Sequence, residues 1–463
     1  MHSIFTPHVF NAAVNIPPSK SHTIRRLFMA ALTDGASRIE QPLFSLDTQS
    51  CAAACRALGA EITEEKDSSG SLAAWIVRGE KPGAADDSKF AELSRTIDAG
   101  NSGTTLFFAI AAAALFSRTF AFTGDSQIAR RSAGPLLDAL AELGVKVNAQ
   151  NGCVPITVCG PWKGGRVRLP CLTSQYLSAM LIAAPLAPKG TITEINVPLL
   201  NEKPYVEMTL SYLKSRLLYG NSNNNLKITG NADFSNFKIH GGCEYNPMNG
   251  PVPGDFSSAV YPASAAVLSG GKAVLHGLNP GDIQGDKIFF DHLKQMGCNV
   301  KWEQKNNDWH VTVSCAGTLK GGVFDLNAAP DLLPIMAVLG AFAAGETKLI
   351  NAGHARIKET DRIAVMAGEL SKLLAGNNNF CCTEKPDGLF IRGTGGRAEN
   401  SGVCKTTQPG ITLDGRGDHR VVLALACAVM GMSPAAGPVT ITGTEAADVS
   451  YPGFLELLMP RKN

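Results

Sequence analysis

Residues 264–278 read SAAVLSGGKAVLHGL: a run of small residues with helical spacing, a glycine pair, then a β-branched run ending in another glycine. Glycine just past a helix marks its stop, because it enters the left-handed region without a Cβ clash. The alternating, β-branched residues that follow predict a strand. The same helix–Gly–strand pattern recurs at 30–43 (AALTDGASRIEQPL), 184–200 (APLAPKGTITEINVPLL), 339–352 (LGAFAAGETKLINA) and 429–443 (VMGMSPAAGPVTITG). A second pattern, a helix closing on LG or MG before a short strand, alternates with it: ACRALGAEI (54–62), LAELGVKV (140–147) and LKQMGCNV (293–300). The chain is therefore α/β, a helix–strand unit used several times in each half. The spacing is too irregular for a solenoid. No GxGxxG follows a strand, and GNSGTT (100–105) lacks the GK[ST] ending of a nucleotide-binding loop.

A chain of 463 residues exceeds one ordinary core, so two large domains are expected. Proline-rich points at 16–19 (IPPS) and 249–254 (NGPVPG) are candidate hinges, and the Asn-rich stretch 214–250 reads as loop-rich. A formal net charge of +2 argues against bulk attraction to nucleic acid or an anionic membrane, so any important cations act locally. The twelve cysteines include no CxxC pair, which points away from zinc and toward small, reduced core residues. No charged segment followed by an apolar run opens the sequence. The most apolar stretch, LFFAIAAAALF (106–116), is shorter than the ~20 residues of a membrane span. It predicts a buried helix, and a cytoplasmic protein is the expectation.

The charges are oddly placed. In ARIKETDRIAVMAGEL (355–370), Ile363, Met366, Ala367, Leu370, Leu373 and Leu374 define one helical face, with Thr360 or Asp361 as the cap. Arg362 then falls in the first turn, where the helix dipole disfavours a cation. The misplacement recurs at Lys20 and Arg25 in PPSKSHTIRR, at Arg131 before SAGPLLDAL, and at Arg420 after the candidate cap Asp418 in GDHRVVLALACAV. Four such helix openings, spread over both halves, predict helix ends that gather bound anions, with N–H groups, dipoles and cations acting together. Asp331, opening the helix of PDLLPIMAV, is either an ordinary cap or, with Glu359, a proton-handling carboxylate among those cations.

PPSKSHTIR (17–25), GNSGTT (100–105), TSQYLSAML (173–181), KPY (203–205), PDLLP (330–334), KETDR (358–362) and DHR (418–420) resemble, in order and rough spacing, the signatures of the 5-enolpyruvylshikimate-3-phosphate synthase family. The match runs from about residue 14 to 455. The resemblance implies two similar α/β domains, each of three βαβαββ units around a pseudo-threefold axis, an inside-out α/β barrel. Residues 20–250 would form one lobe. Residues 1–19 plus 251–463 would form the other, with helix N-termini facing an interdomain cleft. It also implies transfer of the enolpyruvyl group of phosphoenolpyruvate to the 5-hydroxyl of shikimate 3-phosphate, with no metal or other cofactor, no nucleic acid or membrane partner, and a monomer. Carried over by motif, Lys20, Ser21, Arg25, Thr173, Ser174, Gln175, Tyr205, Asp331, His354 and Lys358 would hold shikimate 3-phosphate. Phosphoenolpyruvate would meet Lys20, Asn101, Gly103, Thr104, Arg131, Gln175, Arg362 and Arg420. Asp331 and Glu359 would handle protons, assisted by Lys20.

The sequence departs from the family pattern at five places. Val449 stands for a lysine, Phe107 for an arginine, Glu202 for a serine, His354 for an asparagine and Gln127 for an arginine. These changes imply weakened phosphoenolpyruvate or inhibitor binding. They leave two alternatives: an enolpyruvyl transferase acting on UDP-N-acetylglucosamine, and a non-catalytic paralogue that binds a phosphorylated metabolite.

Overall fold

The helix Phe256–Ser269 stops at Gly270 (φ +64°), and the strand Lys272–His276 follows at once, as the glycine-pair reading requires. The computed structural model describes residues 1–82, 95–218, 228–306, 308–396 and 410–460. The chain divides into two units, Lys20–Val252 and Met1–Ser19 with Pro253–Asn463. Their two chain crossings run side by side: Ser19 N–H donates to the Pro253 carbonyl at 2.8 Å, and Asp255 N–H to that of Pro17 at 2.9 Å. The second crossing comes later than residue 250 because Asn249–Pro251 pairs in parallel with Arg38–Glu40, and Val252 N–H extends that ladder to Glu40.

The N-terminal unit (20–252) carries helices α1 (Lys20–Ala31), α2 (Leu46–Leu58), α3 (Gly103–Ala113), α4 (Gly134–Glu142), α5 (Ser174–Ala183) and α6 (Lys203–Arg216). Its three four-stranded sheets share one order: a parallel pair, then two antiparallel neighbours. One repeat runs Arg95–Asp98, α3, Phe120–Thr123, α4, Lys146–Gln150, Cys153–Cys159, which is βαβαββ. In each unit the crossover helices joining parallel strands lie inside and the sheets outside, because those helices are apolar on nearly every face. All of α3 except Thr104 is buried.

The C-terminal unit repeats the scheme with α7 (Phe256–Ser269), α8 (Phe289–Gln295), α9 (Leu333–Phe342), α10 (Arg362–Leu373) and α11 (His419–Met430). Every residue of α7, α9 and α11 is buried, and the three pack on one another. The helix α10 is amphipathic and buries Ile363, Met366, Ala367, Leu370 and Leu373. The N-terminal strands His2–Phe5 and Ala12–Asn15 complete two of this unit's sheets, pairing with Val439–Thr442 and Lys272–His276.

Two expectations need correction. The stretch 214–250 is not mainly loop: its described part holds short strands at Leu217–Leu218, Ile228–Gly230, Asn236–His240, Glu244–Tyr245 and Asn249–Pro251, most of whose polar residues face solvent. The cysteines are only partly core residues. Cys51, Cys55, Cys171, Cys243, Cys298 and Cys427 are buried, whereas Cys381 is exposed and Cys153, Cys159, Cys315 and Cys382 are half-buried on outer strands or beside them. Cys404 lies outside the described residues. Among the described residues no helix is long and apolar enough to cross a membrane.

Because α11 is enclosed on all sides, Leu423→Ala is expected to cost about 2–5 kcal/mol. Val9→Ala, at a side chain 55% exposed, should change stability by less than about 0.5 kcal/mol. Urea unfolding midpoints of the two variants check this.

Candidate active site

Three polar segments of the C-terminal unit converge where its helices begin. Asp361 caps α10, accepting the Ala364 N–H at 3.0 Å, and Arg362 is the first helical residue. Its guanidinium is 1% exposed and is held by three carboxylates. Nε and Nη2 donate to Asp418 at 2.9 and 3.2 Å, Nη1 donates to Asp331 at 2.7 Å, and Nη2 also reaches Glu359. Asp418 in turn caps α11, accepting the Arg420 N–H at 2.9 Å and the Thr360 hydroxyl at 3.0 Å. Arg420 Nη2 meets the other oxygen of Asp331, Oδ2, at 2.8 Å, and Lys358 Nζ lies 4.0 Å from Oδ1, the oxygen that Arg362 holds. Three cations thus face three carboxylates. The dipole penalty on Arg362 and Arg420 is a few tenths of a kcal/mol, small beside the about 3–5 kcal/mol that breaking a buried pair costs.

Asp331 is not a helix cap. It lies in the 3₁₀ turn Pro330–Leu332 ahead of α9, which frees its carboxylate to bridge both arginines. Burial alone would raise its pKa, but Arg420, Lys358 and Arg362 outweigh burial and hold it well below the usual carboxylate range. The carboxylates of Asp418, Glu359 and Asp331 in turn outweigh burial and push the Arg362 pKa up. Asp286 is the contrast. It is fully buried, accepts from the Ser257 hydroxyl, and is pushed up to about 6 by burial, against the pull of Arg420. His354 is buried on the turn Gly353–Ile357, and Val449 is buried in the turn Thr444–Val449.

In the N-terminal unit, Ser102 caps α3, accepting from Thr105 N–H at 3.3 Å. Gln175 Nε2 donates to the Thr104 hydroxyl at 3.0 Å. A Cβ at Gly103 would collide with the Arg131 guanidinium and stand 3.5 Å from Gln175 Oε1, so glycine is what lets Arg131 lie against this backbone. Gly103, Thr104, Arg131 and Gln175 are therefore brought together. Asn101 is instead turned onto Asp125 and Gln127, at 2.6 and 2.9 Å. Lys20 opens α1 with its Nζ 2.8 Å from Asp47, a buried carboxylate in the first turn of α2.

Arg25 is enclosed, which the sequence did not anticipate. It is 2% exposed, and donates to Thr209 (2.9 Å), the Ser21 carbonyl (3.1 Å) and the Tyr205 carbonyl (3.0 Å). Burial lowers its pKa to about 10, with Tyr205, Tyr212 and Glu202 pulling the other way. It ties α1 to α6. Thr173 and Ser174, at the start of α5, both donate to Glu202. Sequence reasoning missed Asp47 as the partner of Lys20 and Asp418 as the partner of Arg362. For Asp47 the available signal was its place between Ser45 and Thr48, which form a capping box.

Residues 6–458 match the EPSP synthase (3-phosphoshikimate 1-carboxyvinyltransferase) family. A 3-phosphoshikimate 1-carboxyvinyltransferase of Acetivibrio thermocellus is 44% identical over 451 residues, 96% of this chain and 94% of the relative. One from Halobacterium salinarum is 38% identical over 99% of this chain and 98% of its own. The chain belongs to the EPSP synthase family. The solved EPSP synthase of Acinetobacter baumannii superposes with a TM-score of 0.74 at 25% identity, covering 98% of this chain and 97% of that one. The enolpyruvyl transferase NikO of Streptomyces tendae shares the fold, with a TM-score of 0.65 at 18% identity over 98% of this chain and 96% of its own. These matches do not favour the UDP-sugar alternative.

Measured against the EPSP synthase pattern, Phe107 is a packing residue, 3% exposed and edge-on to Tyr176 at 4.9 Å. The Tyr176 hydroxyl donates to the Ser132 carbonyl at 2.6 Å, next to Arg131. Gln127 accepts from Asn101 and so helps shape the same loop.

Asp286 gives a pH prediction. Its pKa is about 6 in the fold against ~3.9 unfolded, so its contribution is full below pH ~4 and is lost as pH rises through about 6. Asp286→Asn should therefore flatten the fall of stability between pH 4 and 6 and gain stability over wild type above pH 6. Urea titrations across that range check it.

Proposed function

We propose that this chain transfers the enolpyruvyl group of phosphoenolpyruvate to the 5-hydroxyl of shikimate 3-phosphate and releases inorganic phosphate. The observation that carries the reading is the carboxylate of Asp331 seated between Arg362, Arg420 and Lys358, in a chain that matches the EPSP synthase family over residues 6–458. A pure anion-binding protein gains nothing from a carboxylate at the centre of its cations. An enzyme that must take a proton from a hydroxyl does.

In the proposed reaction the 5-hydroxyl oxygen bonds to C2 of phosphoenolpyruvate while C3 gains a proton. The hydroxyl proton passes to Asp331, with Lys20 assisting, and Glu359 serves the C3 position. The tetrahedral intermediate then loses phosphate from C2 and the proton from C3, restoring the double bond. Phosphoenolpyruvate brings its own leaving group, so the reaction calls for no metal or organic cofactor. We assign Arg420, Arg362, Lys20, Arg131 and Gln175 to phosphoenolpyruvate, with the Gly103 and Thr104 segment and Asn101. Ser21, Arg25, Thr173, Ser174, Tyr205, Asp331, His354 and Lys358 are assigned to shikimate 3-phosphate, with Lys20 and Gln175 shared between the two substrates. Each anion that Arg420 and Lys358 accept weakens their hold on Asp331. Substrate binding would raise its pKa from the depressed value and make it a better base.

The crossings at 16–19 and 249–254 would act as hinges. A cytoplasmic location completes the reading, since both substrates are small water-soluble anions, and a monomer is proposed with it.

In a phosphate-release assay with both substrates, Asp331→Ala should lower kcat by about 10²–10⁴-fold. Release at the wild-type rate would remove Asp331 from proton transfer. Val449→Lys restores the cation that the family pattern places there. It is expected to lower KM for phosphoenolpyruvate by about tenfold or more, and an unchanged KM would show that Val449 costs no affinity.

A further inference from the structure

Glu202 precedes α6 with its backbone in the left-handed region, φ +57° and ψ +41°, where a non-glycine residue is uncommon. Its side chain does not turn to solvent; the residue is 3% exposed. One oxygen, Oε2, accepts three hydrogen bonds: from the Thr173 hydroxyl at 3.0 Å, the Ser174 hydroxyl at 2.9 Å and the Ser174 N–H at 3.0 Å. These donors are the cap and first residue of α5. Two hydroxyls and an N–H converging on one oxygen at a helix N-terminus suit an oxyanion, and here the chain fills the position with its own carboxylate. The next residue, Lys203, stands away from it, with Nζ 3.5 Å from the Ala232 carbonyl and 4.4 Å from the centre of the Phe234 ring.

We propose that Glu202 is a specificity-determining residue that competes with the 3-phosphate of shikimate 3-phosphate for the donors of Thr173 and Ser174. The proposal rests on the assignment of those two residues to that phosphate. The family pattern has serine at this position, a neutral hydroxyl that leaves the donors open. A carboxylate must withdraw before a phosphate dianion enters, because two anions on the same donors in a dry pocket repel. Glu202 thereby lowers affinity for the phosphorylated substrate while leaving the remainder of its ring unaffected. The binding advantage of shikimate 3-phosphate over shikimate is reduced.

Calorimetric titration of wild type, Glu202→Ser and Glu202→Gln with shikimate 3-phosphate and with shikimate tests this, alongside phosphate release with phosphoenolpyruvate present. The glutamine variant keeps the size of the side chain and removes only its charge, so it decides the matter if the serine variant does not fold. Both variants are expected to bind shikimate 3-phosphate about tenfold or more tighter than wild type, with a matching fall in its KM. Shikimate affinity should change by less than about threefold, a split that a general loosening of the fold does not produce. Unchanged or weaker shikimate 3-phosphate binding by the folded variants overturns the proposal, as does equal tightening of both ligands. If wild type releases phosphate and the variants show no tightening, the role of Glu202 falls and the proposed function stands. If neither wild type nor variants bind shikimate 3-phosphate or release phosphate, both fall.

Discussion

A carboxylate held by two arginines from two helices is the constraint around which the C-terminal unit is organised. Asp331 sits ahead of α9, Arg362 opens α10 and Arg420 lies in the first turn of α11. Neither arginine's position favours it locally: helix N-termini repel cations, and burial penalises all three charges. The arrangement persists because each charge satisfies the others. Asp418 completes it by serving two purposes, capping α11 and fixing the guanidinium of Arg362. The buried apolar helices behind supply the stability that such a polar cluster does not supply by itself.

The same logic separates two carboxyl groups near Arg420. Asp331 faces three cations and stays ionised far into acid. Asp286 is enclosed, with Ser257 as its hydrogen-bond donor, and titrates near 6. Environment alone, acting on one residue type, gives one group a fixed charge and lets the other keep its proton up to about pH 6. In the proposed reaction the fixed charge is the useful one, because anions arriving at the arginines weaken the field that depresses it.

Much of this was legible in the sequence. The glycine stops after small-residue helices gave the repeating unit, and Gly270 takes the left-handed conformation that this reading requires. Cations misplaced in first turns marked Arg362 and Arg420, and the same stretch narrowed the cap to Thr360 or Asp361, of which the structure uses Asp361. Partners distant in sequence were not legible. Nothing near Arg25 announces that Thr209 and the Tyr205 carbonyl, more than 150 residues away, will enclose it. Glu202 was visible as an oddity, a carboxylate near a phosphate motif. Only the fold shows that its side chain turns inward onto Thr173 and Ser174. Asp331 was ambiguous because a cap and a proton acceptor look alike in sequence; its place in a 3₁₀ turn excludes the cap, and proton transfer is the role proposed for it.

The central claim is that Asp331 is the internal counter-charge of the arginines and does not hold the substrates by its own negative charge. Calorimetric affinity for phosphoenolpyruvate, measured with shikimate 3-phosphate present on wild type and Asp331→Asn, tests it most directly. The account predicts that the variant binds phosphoenolpyruvate at least as tightly as wild type, because neutral asparagine releases Arg362 and Arg420 to the anion. A folded variant that binds phosphoenolpyruvate about tenfold more weakly or worse would contradict it, since the carboxylate would then be required to build the site.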